Sequence, residues 1–104
     1  MSQARNEGIK SKAITSSGVV TTAGKTGLLY GVCLYTAAAD SSILIEDGGT
    51  GGTELLKVAG DATNDATSTK SVIFSTPIVG DTDLYATIAG AGATANVFYK
   101  EIEQ

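Results

Sequence analysis

The amino-acid sequence predicts an all-β sandwich of about eight short antiparallel strands. Short β-branched and aromatic runs recur roughly every 8–15 residues, and Gly, Ser, Thr and Asp separate them. No segment carries a sustained apolar stripe at helical spacing. Hydrophobic residues make up 42% of the chain and charged residues 17%, which favours a folded protein over a disordered one.

Eight segments have strand character. The predicted strands are, in order, residues 9–15, 19–22, 28–35, 42–47, 53–59, 70–76, 83–89 and 94–100. Residues 53–59 contain good helix formers, but the segment is too short for a stable helix and glycines flank it, so a strand is favoured. Pro77 is expected to stop the sixth strand, which leaves Ile78 and Val79 either as its continuation or as a bridge to the next turn.

The segment 28–35, LLYGVCLY, is the strongest of these strands. A period of two places its residues on two faces, Leu28, Tyr30, Val32 and Leu34 on one and Leu29, Gly31, Cys33 and Tyr35 on the other. Both faces are largely apolar, which is typical of a strand that is buried on both sides. In a sandwich the core covers one side, so we expect a loop or a neighbouring subunit to cover the second.

The chain divides into a polar start and one domain. Residues 1–8 are predicted to form a flexible N-terminal arm, or one that orders on a partner, and residues 9–104 a single β-sandwich domain. The first residues lack the apolar stretch of a signal peptide, and no run is long enough for a transmembrane helix. We therefore expect a protein that acts without export by the general secretory route and without a membrane partner.

The residue inventory argues against an enzyme. Histidine is absent, which removes the usual general base and the Ser-His and Cys-His nucleophile systems. Cys33 is the single cysteine, so neither an intrachain disulfide nor a cysteine zinc site can form, and its apolar neighbours predict a buried small side chain. No cofactor is predicted. Net charge is −4 and the seven Lys and Arg residues are scattered, which disfavours a nucleic-acid partner.

Some motifs superficially suggest ligand sites. Gly24-Lys25-Thr26 and Gly90–Ala95 look like phosphate-binding loops, but each lacks the required spacing or the following helix, so hairpin turns are favoured. Three acidic pairs raise the alternatives of a calcium site or a carboxylate hydrolase: Glu46 with Asp47, Asp61 with Asp65, and Asp81 with Asp83. Asp is also an ordinary turn residue, so turn chemistry is favoured and no metal is predicted.

Three stretches carry a family resemblance: SGVVTTAGKTGLLYGVCLYT (17–36), SILIEDGGTGG (42–52) and DLYATIAGAGATANVFYK (83–100). The chain resembles the small all-β virion proteins of tailed bacteriophages, namely capsid decoration (cement) proteins and related head-fibre modules. The resemblance implies a jelly-roll-like sandwich, made in the bacterial host cytoplasm, that sits on the capsid surface as a homotrimer or other oligomer. The implied partners are the major capsid protein and further copies of the chain.

The implied function is stabilisation of the outer shell of a phage head. A receptor- or carbohydrate-binding module of a fibre or tail is the alternative. Few charges and many small residues fit close packing between identical subunits. The residues predicted to contact a sister chain or partner are Leu29, Cys33, Tyr35, Tyr85 and Tyr99.

Overall fold

A computed structural model describes residues 8–22, 25–36, 41–60 and 68–103. Nearly all of the predicted N-terminal arm lies outside these ranges, as do Asp61 and Asp65. The strands are β1 (Lys10–Ile14), β2 (Gly18–Val19), β3 (Lys25–Thr36), β4 (Ser42–Asp47), β5 (Thr53–Ala59), β6 (Ser68–Gly80), β7 (Tyr85–Ala89) and β8 (Thr94–Glu103). No helix in the described ranges has the length and hydropathy needed to span a membrane.

The strands form two four-stranded antiparallel sheets with jelly-roll topology. Sheet A has the order β1-β8-β3-β6 and sheet B the order β2-β7-β4-β5. The pairs β1–β8, β2–β7, β3–β6 and β4–β5 nest inside one another, so the chain is one long antiparallel ribbon wrapped into a double sheet. The predicted all-β, jelly-roll-like sandwich is therefore confirmed.

Two connections predicted as hairpin turns prove to be crossings between sheets. The segments before β3 and before β8 each join a strand of sheet B to a strand of sheet A. At Gly90 the backbone adopts φ +103°, and a Cβ there would lie 2.6 Å from the Cα of Ser41. Glycine is required at this crossing because the chain turns in the left-handed region while passing close to another backbone.

The core lies between the sheets and is aliphatic. Its largest fully buried apolar side chains are Leu29, Val32, Leu34 and Val97 from sheet A, and Ile43, Ile45 and Leu84 from the segments of sheet B. Alternate residues of each strand supply them, as expected for two sheets packed face to face.

A β-bulge at Tyr30 changes the faces of β3. Leu29 pairs with Tyr99 of β8 and Gly31 pairs with Phe98, so Tyr30 is an extra residue opposite no partner. The extra residue reverses the alternation, which puts Leu29 and Val32 on the same core-facing side. The predicted two faces of 28–35 are therefore wrong, since strict period two assumed an unbroken ladder.

The prediction that Pro77 stops the sixth strand is also wrong, because β6 continues to Gly80. Against β3, Gly31 pairs with Ile73 and Leu29 with Ile78, so four residues of β6 oppose the single residue Tyr30. Pro77 lies in this bulged segment of an edge strand. A missing backbone N–H is tolerated there because no ladder hydrogen bond needs it.

Candidate interaction surface

The outer face of sheet A carries a group of apolar side chains that only Lys100 and Thr26 interrupt. Successive residues of a strand point to opposite faces of the sheet, and residues paired across two strands point to the same face. The residues on either side of a core-facing residue therefore point outward, together with their partners on the neighbouring strands. Gly31 is flanked by Phe98 and Ile73, and Leu28 by Lys100 and Val79. We call the following residues the outer apolar patch: Leu28, Tyr30, Ile73, Val79, Phe98 and Ile102.

The patch is accessible to solvent in a single chain. Ile73 is 64% exposed, Val79 49% and Ile102 48%, whereas Leu28, Tyr30 and Phe98 are half-buried among them. Scattered exposed hydrophobic residues are ordinary, but their grouping across three strands makes this face a candidate interaction surface.

Only one charged side chain, that of Lys100, falls on the outer face of sheet A among the described strand residues. Its Nζ lies 5.5 Å from the centroid of the Tyr30 ring, within range of a cation–π interaction. The patch thus retains its apolar character around this lysine, whose charge is held against an aromatic face.

The outer face of sheet B is different in kind. The register aligns Leu44 with Lys57 and Thr87, and Glu46 with Glu54 and Tyr85. Glu46 is buried, but Glu54 and Lys57 are exposed, so this face presents charges of both signs among its apolar groups. A mixed surface of this type is typical of a face in contact with water. The two outer faces are therefore chemically distinct.

The predicted contact residues do not lie on one surface. Cys33 and Tyr35 lie on the outer face of sheet A beyond the patch, with Tyr35 43% exposed and the Ser71 hydroxyl donating to Cys33 Sγ at 3.4 Å. Leu29 and Tyr99 point into the core, because the bulge at Tyr30 turns Leu29 inward and pairs it with Tyr99. Tyr85 lies half-buried on the outer face of sheet B.

None of the six patch residues was among the contact residues predicted from the sequence. The available signal was a pair of apolar triplets, Val72–Phe74 and Val97–Tyr99, since each places apolar side chains on both faces of its strand. These two strands share that property with residues 28–35, and the register aligns all three side by side.

The acidic loop residues bind backbone amides. The Asp47 carboxylate accepts hydrogen bonds from the N–H groups of Asp81, Thr82 and Asp83 at 3.1, 2.8 and 3.3 Å. Asp83 Oδ1 in return accepts from the N–H of Gly48 at 2.9 Å. The two carboxylates brace the β4–β5 turn against the β6–β7 turn, whereas the turn interpretation expects each Asp to bond the backbone of its own turn. Within the described ranges, no group of three or more potential ligands is arranged to hold a metal ion.

Glu101 of β8 links the first residue of β1 to the segment that follows β2. Its side chain accepts hydrogen bonds from the N–H of Thr22 and from Lys10 Nζ, the latter at 3.4 Å. Burial raises the pKa of Glu101, but the Thr22 and Lys10 interactions together outweigh it, so that the pKa lies below its ordinary value of 4.5. The charged form is thus the one that the folded protein favours.

This carboxylate makes stability depend on pH. Because the pKa of Glu101 is lower in the folded than in the unfolded chain, its stabilisation is complete above pH 4.5 and is lost as pH falls below that value. We expect Glu101→Gln to lower the unfolding free energy by about 1–2 kcal/mol at neutral pH, with the deficit closing in acid. Urea unfolding of both proteins between about pH 3 and pH 7 measures this.

The matched control for that series is Lys10→Met, which removes a half-exposed ion pair and should change stability by less than about 1 kcal/mol. A deficit of Glu101→Gln that stayed constant down to pH 3 would contradict the assignment.

The chain matches no protein-family model, no curated protein and no solved structure. Its function is therefore inferred from its own residues and from the resemblance described above.

Proposed function

We propose that this protein is a non-enzymatic structural protein of a phage virion, a capsid decoration protein that stabilises the outer shell of the head. The outer apolar patch is the observation that carries the proposal, because a closed jelly roll with its own filled core has no internal use for exposed Ile73, Val79 and Ile102. Such a surface serves a protein whose task is to be packed against others.

The architecture supports this role. The double-sheet jelly roll recurs in viral capsid domains, and the resemblance noted in the sequence points to the same class. The braced turns at Asp47 and Asp83 support it as well, because they keep two loops at one end of the sandwich in fixed positions. A rigid module can bind a shell without first ordering its loops, which preserves binding free energy.

The mechanism is stabilisation by mass action. A protein that binds the assembled shell and not its dissociated subunits stabilises the shell according to its concentration relative to the dissociation constant. The major capsid protein is the proposed partner on the shell, and further copies of this chain are the proposed partners on the particle surface.

The test compares phage heads assembled without the protein and heads to which the purified protein is added. We expect bound protein to sediment with the heads and to raise the temperature at which they release DNA. Equal release temperatures with and without the protein would contradict the proposal. Binding to host-cell glycans without binding to heads would instead indicate the fibre or tail module.

A further inference from the structure

We propose that the outer apolar patch is covered by the same patch of a second copy, so that two jelly rolls pack sheet A against sheet A about a two-fold axis. The inference rests on the proposed function and deepens it by naming the partner of this face. The shell then contacts other surfaces of the dimer.

The size of the face fits a stable dimer. The strands of sheet A contain 5, 10, 12 and 13 residues, and at about 3.3 Å by 4.8 Å per residue they give the whole face a footprint of roughly 630 Å². A standard protein interface buries about 800 Å² on each partner. The face therefore approaches the size of a specific interface when all of it takes part, the patch together with uncharged neighbours such as Ser11, Asn96 and Ser71.

The chemistry of the face fits a copy of itself. A two-fold axis brings each patch against an identical one, which is favourable for apolar side chains and unfavourable for a face rich in one charge. Here the six patch residues are uncharged, and Lys100 is held over Tyr30. Nucleic acid would require many cations on this face, and a charged protein surface would require complementary charges.

The side chains at the centre of the face fit sheet-on-sheet contact. Packed sheets lie about 10 Å apart with their side chains interdigitated. Gly31 contributes no side chain at the middle of the face, and a Cβ there would lie 2.7 Å from Ile73 Cδ1, so Ile73 covers the glycine. An apolar side chain therefore covers the centre of the face, next to Phe98.

A trimer, which the family resemblance implies, needs a different arrangement. In a ring each subunit presents two different surfaces to its neighbours. The described residues offer one extended apolar face, since the outer face of sheet B mixes Glu54 and Lys57 with its apolar groups. The geometry therefore favours two copies.

The experiment is analytical ultracentrifugation of the full-length protein over a dilution series from high micromolar to nanomolar, with three variants. Ile73→Lys and Ile102→Lys place a charge on exposed positions of the patch, and Val19→Lys places one on the equally exposed outer side of sheet B, where Val19 is 45% exposed. We expect twice the monomer mass for the wild type and for Val19→Lys. We expect both patch variants to raise the dissociation constant about 100-fold or more, because the interface contains each substitution twice.

Circular dichroism and thermal melts check that the variants are folded. We expect them to fold because all three substituted side chains are exposed. A wild-type mass of one or three copies at high micromolar concentration would overturn the inference, as would patch variants that associate like the wild type. Monomers that still protect phage heads would refute the dimer and leave the proposed function intact. A dimer that had no effect on phage heads would support the dimer and contradict the proposed function.

Discussion

Leu29→Ala is expected to lower the unfolding free energy by about 3–4 kcal/mol, a large part of the total for a domain of this size. Leu29 has 0% of its surface exposed and packs in the core between the sheets. Truncation removes buried methyl groups and leaves a cavity that the surrounding strands cannot close. Urea unfolding measures the loss, carried out in the Ile73→Lys background so that self-association does not contribute.

The matched control is Leu28→Ala, one residue earlier on the other face of β3. Leu28 is half-buried in the single chain, so its truncation in the same background should cost about 1 kcal/mol. Equal losses at the two positions, or a larger loss at Leu28, would mean that the bulge at Tyr30 does not set the faces as described.

Asp47→Ala is expected to lower the unfolding free energy by about 2–4 kcal/mol and to loosen two turns together. The substitution leaves the N–H groups of Asp81, Thr82 and Asp83 without their carboxylate acceptor. Hydrogen bonds to a charged acceptor are worth more than neutral ones, and the Asp83 N–H is partly buried, so the loss of its acceptor is the costliest of the three. Urea unfolding measures the loss, and amide hydrogen exchange should show faster exchange at these three positions.

Two variants separate this brace from a general loop effect. Asp47→Asn keeps an oxygen at the Oδ1 position for Thr82 and Asp83 and loses the acceptor for Asp81, so its loss should be about half that of alanine. Asp83→Ala removes the acceptor of the hydrogen bond that the Gly48 N–H donates, and should cost about 1 kcal/mol. If all three variants were as stable as the wild type, the carboxylates would not brace the turns.

The strand pattern was predictable from local composition, and its exceptions have identifiable causes. Residues 53–59 form β5 as predicted, because flanking glycines and short length outweigh the helix propensity of Leu55 and Leu56. The path of β6 through Pro77 was not predictable, since it depends on the strand having only one neighbour. The assignment of each strand to one of the two sheets was also not predictable, because the nested pairing of a jelly roll joins residues far apart in sequence.

The sequence indicated that β3 needs a cover, but it did not identify the residues of the patch. The expectation that one side of β3 needs a cover stays a prediction, but the residues chosen for it followed an alternation that Tyr30 interrupts. A single inserted residue leaves no trace in composition, and it moves Leu29 from one face to the other. Ile73 and Phe98 reach the surface through pairing with Gly31, which only the three-dimensional register reveals.

The bulged segment of β6 also limits how copies of the chain can join. β6 is the outermost strand of sheet A, and an unprotected outer strand of 13 residues would recruit further chains by backbone pairing without end. Residues 74–77 depart from the regular ladder, and Pro77 has no amide hydrogen to offer an incoming strand. Backbone pairing with an incoming strand is therefore disfavoured at residues 74–77 of this border, and the proposed association through the outer face of sheet A would give a closed, finite particle.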